Sequence, residues 1–154
     1  RGQIAHHNAS HDALEITADM LFDGEMNAQK AAQWAMDTDG LPLIYSSADP
    51  DMVASAQSKY GRYESAETFE QFFADIARIC TKAGVRKLLT AGGEASGAVI
   101  DGLALSSLEV GPEIDPGVPA LRAGSELVLA LKSGNFGSID YFEKAASTLT
   151  GSNT

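Results

Sequence analysis

The stretch Leu88-Leu-Thr-Ala-Gly-Gly-Glu-Ala-Ser-Gly-Ala-Val-Ile100 constrains this chain more than any other. Leu88, Leu89 and Thr90 are strand formers, and Gly92 and Gly93 permit a tight turn with close approach of another molecule to the backbone. Ala95 to Ala104 has helix-compatible composition apart from Gly97 and Gly102. A helix that starts at such a turn directs unpaired N–H groups, and the positive end of its dipole, at whatever sits above it. Phosphate is the usual occupant of such a place. The segment alone is equally compatible with an ordinary tight strand–helix turn of an α/β domain.

The rest of the chain supplies the elements that such a turn needs. Ala13 to Ile16, Leu43 to Ser46, Val85 to Thr90, Leu108 to Val110 and Leu127 to Leu131 read as strands, the last apolar throughout as in a buried sheet centre. Gln3 to His7 reads as the end of a helix that begins upstream, and Asn27 to Met36 as a helix closed by Gly40. Pro50 suits the first position of another. From Ser65, a fair N-cap, to Lys82, the residues Phe69, Phe72, Phe73, Ile76, Ile79 and Cys80 repeat at helical spacing, and Gly84 follows as a stop. A last helix starts at Ser138 or Asp140, with Tyr141, Phe142, Ala145, Ala146 and Leu149 inward. Gly111 to Pro119, with three prolines, reads as a stiff irregular loop carrying Glu113 and Asp115. The alternation predicts an α/β fold, a three-layer sandwich whose mainly parallel central sheet is flanked by helices. Residues 1–154 are predicted to form one domain, in line with their number.

Composition narrows the function classes. Hydrophobic residues make up 44%, enough for a core, and no apolar run approaches the roughly 18 residues of a membrane span. The net charge of −10 argues against a nucleic-acid surface but not against a local phosphate pocket. The single Cys80 forms no internal disulfide and lies on the apolar stripe of its helix, as a small buried hydrophobe. This fits a reducing, cytoplasmic setting. His6, His7 and His11 invite a metal reading, but they lack partner Cys or clustered acidic ligands, and adjacent histidines on a helix point about 100° apart. Surface or cap positions are expected for them, and no metal site.

In doubly wound sheets, ligands bind beyond the carboxyl ends of the strands. Two strands here end in glycine-bearing loops, at Ala91-Gly-Gly-Glu94 and Lys132-Ser-Gly-Asn-Phe-Gly137. If these strands are close, the loops face one crevice, with Lys132 as a cation, Ser133 and Ser96 as hydroxyl donors and the glycine backbones as N–H donors. Lys132 is equally readable as a solvated residue at a strand end. Gly92 to Gly97 gives half of a Walker pattern, but Ala98 and Val99 stand where Lys and Ser or Thr are required, and the dinucleotide pattern also fails. A nucleotide site must use another layout.

Four strings together, Ser46-Ser-Ala-Asp-Pro50, Ala91-Gly-Gly-Glu-Ala-Ser-Gly97, Gly111-Pro-Glu-Ile114 and Leu131-Lys-Ser-Gly-Asn-Phe-Gly137, closely resemble the four-carbon acid sugar kinases. These include 3-oxo-tetronate, threonate and erythronate kinases, and the likeness is to their carboxy-terminal nucleotide-binding domain over nearly the whole chain. The resemblance implies ATP, with Mg²⁺, as the nucleotide, and a four-carbon acid held by an amino-terminal domain that lies outside this chain. It carries nucleotide contacts to Ala91, Gly92, Gly93 and Glu94, and to Gly134, with Asn135 in the same loop. It also implies a serine-rich strand and loop just upstream of Arg1, so that the 154 residues alone would lack one wall of the site and be inactive. Glu94 would hold Mg²⁺, directly or through water, or cap the helix. The chain departs from the family at Ala95, where Thr is common, and at Ser138, where Gly is common. A non-catalytic nucleotide- or anion-binding module with a regulatory or effector role is the alternative. Neither a membrane nor a nucleic-acid partner is expected, and a homo-oligomer is left open.

Overall fold

A computed structural model describes residues 2–46, 49–133 and 136–151. The elements run α1 (Gly2–Asn8), β1 (Ala13–Ile16), α2 (Ala18–Phe22), α3 (Ala28–Asp37), β2 (Leu43–Ser46), α4 (Pro50–Tyr60), α5 (Arg62–Lys82), β3 (Lys87–Ala91), α6 (Gly93–Gly102), β4 (Glu109–Asp115), β5 (Val118–Ala123), β6 (Leu127–Lys132) and α7 (Tyr141–Gly151). Strands β1 and β2 form a parallel pair. A second sheet has the order β3-β6-β5-β4.

The second sheet corrects the expectation of a mainly parallel one. Only β3 and β6 run parallel within it, whereas β5 is antiparallel to both β6 and β4. The fold is mixed α/β. The difference arises in Gly111 to Pro119, which is a hairpin and not an irregular loop. Pro116 and Gly117 make its turn, with Gly117 at φ 78°, the left-handed backbone that a Pro–Gly turn requires at its second central residue. Pro112 is tolerated because β4 is an edge strand whose register shifts between Val110 and Glu113 and again between Glu113 and Asp115.

Packing follows the period of two in β6. Val128 and Ala130 join Val118, Ala120, Tyr141, Phe142, Ala145 and Leu149 in the core beneath α7. Leu129, fully buried, lies on the other face by alternation. A second core gathers Ile16, Ala31 and Phe72, with Phe69, Phe73 and Ile76 of α5 against it, as the aromatic stripe predicts. Cys80 is buried, and burial pushes its thiol up. Among the described residues, no helix is long and apolar enough to cross a membrane.

Three local readings change. Helix α5 starts at Arg62, so Ser65 is not its cap; it is buried in the first turn, and its hydroxyl donates to Ala56 O at 3.4 Å. Helix α2, unforeseen, is capped by Thr17, whose hydroxyl accepts from Met20 N–H at 3.3 Å. His7, expected at the surface or a cap, is 1% exposed, and its Nε2 lies 2.8 Å from Leu41 O.

Candidate functional site

The parallel pairing of β3 with β6 sets Thr90 opposite Leu131 and Ala91 opposite Lys132. Both glycine-bearing loops therefore leave adjacent strands at the same end of the sheet. The pairing continues one residue beyond the strand, since Gly92 N–H donates to Lys132 O at 2.8 Å. Thr90 Oγ1 and Ser96 Oγ, 2.7 Å apart, close the strand onto the helix, and Ser96 Oγ also lies 3.5 Å from Lys132 O. Ser96 is buried, so its hydroxyl braces the frame and does not face the space above the turn.

Gly92 caps α6 with φ 106° and ψ 135°, a backbone conformation that L side chains rarely adopt. The helical ladder begins with Ser96 N–H to Gly92 O at 3.0 Å, so the amides of Gly93, Glu94 and Ala95 precede it. A Cβ placed on Gly92 or on Gly93 would meet nothing within 4 Å. The turn thus presents amide donors and a helix N-terminus to open space, with Ala91, Gly93 and Glu94 exposed.

Lys132 is 3% exposed and is not the solvated strand-end residue that one reading allowed. Period two puts it on the α7 face with Val128 and Ala130, and its Nζ lies 5.6 Å from the Tyr141 ring centroid. Burial pushes its ammonium below the usual lysine range. The loop after Lys132 covers it: a Cβ on Gly137, which has φ 87°, would come within 3.3 Å of Lys132 Cδ and 3.2 Å of Tyr141. Two side chains hold that loop. Gln3 Nε2 donates to Ser138 O at 2.7 Å and to Gly137 O at 3.2 Å. Asp115 Oδ2 accepts from Ser138 N–H at 2.9 Å and from its hydroxyl at 3.0 Å, while Asp115 Oδ1 accepts from Lys144 Nζ at 3.0 Å. The Ser138 amide hydrogen bond, followed by the Lys144 and Ser138 side chains, holds the Asp115 carboxyl below the usual carboxylate range despite its burial. Ser138 thereby supplies a loop anchor. Ser133 is exposed at the loop's start. Gly134 and Asn135 lie outside the described residues.

A cleft of about 580 Å³ opens at the carboxyl ends of β1 and β2, with Glu94 and Ala95 of α6 on its wall. Thr17, Asp19, Ser46, Lys59, Phe73 and Glu94 are among its lining residues. Asp19 Oδ1 accepts from Lys59 Nζ at 2.7 Å and from the Tyr60 hydroxyl. The Lys59 and then the Tyr60 hydrogen bond hold the Asp19 carboxyl below its ordinary value, and the bond to Asp19, followed by that to Tyr60, holds Lys59 above its own. Tyr60 in turn stacks on Phe22, with ring centroids 3.9 Å apart. The first turn of α6 thus lines this cleft with Glu94 and Ala95.

Of the residues singled out in the sequence, the structure brings Ala91, Gly92, Gly93, Glu94, Lys132 and Ser133 to one end of the sheet and turns Ser96 inward. The Asp19–Lys59–Tyr60 group and the anchor Gln3 were not foreseen. Their partners are distant in sequence.

A family described as a nucleotide-binding C-terminal domain matches residues 1–142. The 3-oxo-tetronate kinase of Pseudomonas savastanoi pv. phaseolicola is 42% identical over 141 residues, which cover 90% of this chain and 33% of that protein. The Burkholderia multivorans 3-oxo-tetronate kinase is 41% identical over 152 residues, covering 97% and 36%. A Haemophilus influenzae crystal structure matches with TM-score 0.89 at 30% identity, over 96% of this chain and 37% of that one. A Bordetella bronchiseptica structure, a domain-swapped dimer with bound citrate, shares the fold at 24% identity and TM-score 0.66, over 97% and 36%. The chain spans about a third of the length of the curated relatives it matches. With the family model spanning nearly all of it, the chain belongs to the nucleotide-binding C-terminal domains of the four-carbon acid sugar kinase family.

Proposed function

We propose that this chain is the ATP-binding part of a kinase that phosphorylates a hydroxyl of a four-carbon acid sugar of the 3-oxo-tetronate, threonate or erythronate type. The phosphates would lie between the Ala91–Glu94 turn and the Lys132–Gly137 loop. The observation that carries the reading is the parallel register of Ala91 with Lys132, which sets a helix N-terminus and a buried lysine at one strand end. Phosphoryl transfer asks the protein mainly for positioning and charge stabilisation. The amides of Gly93 and Glu94 would hold phosphate oxygens, and the open space above both glycines admits them. Gln3 and Asp115 would hold the second loop in place.

The residues present fit Mg²⁺ modestly: Glu94 offers an exposed carboxylate beside the amide donors. Glu94 would hold the ion directly or through water, and the ion would neutralise phosphate charge. The four-carbon acid, and the base that accepts the hydroxyl proton, would come from the remainder of the protein. The test is calorimetric titration of ATP and adenosine into the full-length protein, with a coupled ADP-release assay on a panel of tetronates. Tighter binding of ATP than adenosine, with acid-dependent turnover, is the expected outcome. Equal affinity for the two ligands would refute the phosphate site, and ATP binding without turnover on any acid would favour the non-catalytic module.

A further inference from the structure

The end of α1 and the start of α7 meet at a cluster that the proposed nucleotide site does not use. His7 and His11 are four residues apart, and His11 N–H still donates to His7 O at 3.0 Å, so the two side chains share one side of a continued helical turn. Their rings stack with centroids 4.8 Å apart. Glu143, from the first turn of α7, closes the group: its Oε1 lies 3.4 Å from His7 Nδ1, and the ligand atoms of all three residues lie within 4.8 Å of one another.

The hydrogen-bond inventory of this cluster is incomplete. His7 Nε2 faces a carbonyl oxygen, which only accepts, so that nitrogen carries the hydrogen. In the neutral ring, Nδ1 is then a bare lone pair. It is buried and has no hydrogen-bond partner among the described residues, and the same holds for both carboxylate oxygens of Glu143. Three buried acceptors facing one another without a donor are unfavourable. A water, a proton or a cation placed among them would supply what they lack. A proton on Nδ1 would satisfy His7 and one oxygen of Glu143 and leave the other oxygen bare, whereas a cation can engage all three side chains.

We propose that His7, His11 and Glu143 form a binding site for a divalent metal of the zinc class, which clips the amino-terminal helix to α7. Two histidines and a carboxylate are an established donor set for zinc, with a fourth position for water. Tetrahedral ligands at about 2.0–2.1 Å from zinc stand roughly 3.3 Å apart, so His7 Nδ1 and Glu143 Oε1 are already spaced for it. His11 offers the third ligand atom, within 4.8 Å of the other two. The Nε2–H bond from His7 to Leu41 O is the outer contact that orients a metal-bound imidazole and fixes its tautomer. The sequence hid the site because Glu143 lies far from the histidines along the chain and comes beside them only when α7 packs on α1.

The test uses the full-length protein, stripped of metal with a chelator and free of nucleotide, titrated with ZnCl₂ and followed by calorimetry and by thermal melting. Each chain should take up a zinc ion whose binding raises the melting midpoint. His11→Ala and Glu143→Gln, at partly exposed positions, should each weaken that event roughly tenfold or more. His6→Ala, at an exposed neighbour, should leave it unchanged. Metal-free melting of each variant checks that it folds cooperatively. Absence of zinc binding in the parent, or binding that survives both His11→Ala and Glu143→Gln, would overturn the site. So would a loss caused equally by His6→Ala.

Discussion

Gly93→Val separates a phosphate cradle from an ordinary turn, because the structure removes the usual ambiguity of glycine substitutions. Gly93 is the first residue of α6, its φ is not positive, and an added Cβ meets nothing within 4 Å. Replacing a glycine of permitted conformation stabilises by about 0.4–1 kcal/mol through the unfolded chain, which offsets the slight helix cost of a β-branched side chain. The variant should therefore melt within a few degrees of the parent. Its side chain would occupy the space from which a phosphate oxygen reaches the Gly93 and Glu94 amides. Loss of one hydrogen bond to a charged group costs about 1.5–3 kcal/mol, or roughly ten- to hundredfold in ATP affinity. Adenosine, without phosphates, should bind both proteins alike. Calorimetry of the two ligands, with melting curves, checks this. ATP affinity unchanged in a folded Gly93→Val protein would refute the placement of the phosphates at this turn.

Other expectations differ in which property moves. Gly92→Ala should destabilise by about 1–3 kcal/mol in denaturant unfolding, because φ 106° is strained for any side chain whether or not a ligand binds. Lys132→Met keeps the buried stem and removes the charge, so ATP binding should weaken more than adenosine binding while the fold survives; equal weakening would assign Lys132 to packing alone. Asp115 has a depressed carboxyl pKa in the fold, so its contribution to stability is present above the unfolded value of about 3.9 and is lost as pH falls through the folded one. Asp115→Asn should then lower stability at pH 7 and narrow its gap to the parent at pH 3, as measured by urea unfolding. The 154-residue chain alone should show no acid-dependent ADP release in a coupled assay, and turnover would contradict the division of labour proposed here.

Much of the fold was legible because its signals are local. The α5 stripe of Phe69, Phe72, Phe73 and Ile76, and the apolar run Leu127 to Leu131, announce their elements by period and length. What misled was proline. Three prolines in nine residues argue against a ladder only if the strand is central; at an edge, with register shifts, Pro112 gives up no needed hydrogen bond. The Pro116-Gly117 pair was a hairpin signal of its own, and reading it as one would have made the sheet mixed from the start.

The candidate site divides along the same line between local and non-local information. That Gly92 and Gly93 form an open turn at a helix N-terminus follows from their own neighbours in sequence. That this turn faces the Lys132 loop depends on which strands pair, and neither strand encodes its partner. The anchors of the second loop are further removed: Gln3 comes from the first helix and Asp115 from the end of β4. Lys132 shows the consequence most clearly. Its place after a buried strand suggested an exposed end, yet period two turns it towards α7, and the loop pinned by Gln3 and Asp115 closes over it. A lysine kept out of water by a pinned loop is less hydrated than a surface ammonium, so an incoming phosphate would displace less water from it. On the proposed phosphate placement, its usefulness to an anion depends on how firmly residues 136–138 are held. Gln3→Ala should therefore weaken ATP binding more than adenosine binding in calorimetry of the full-length protein, and equal affinities in variant and parent would refute that coupling.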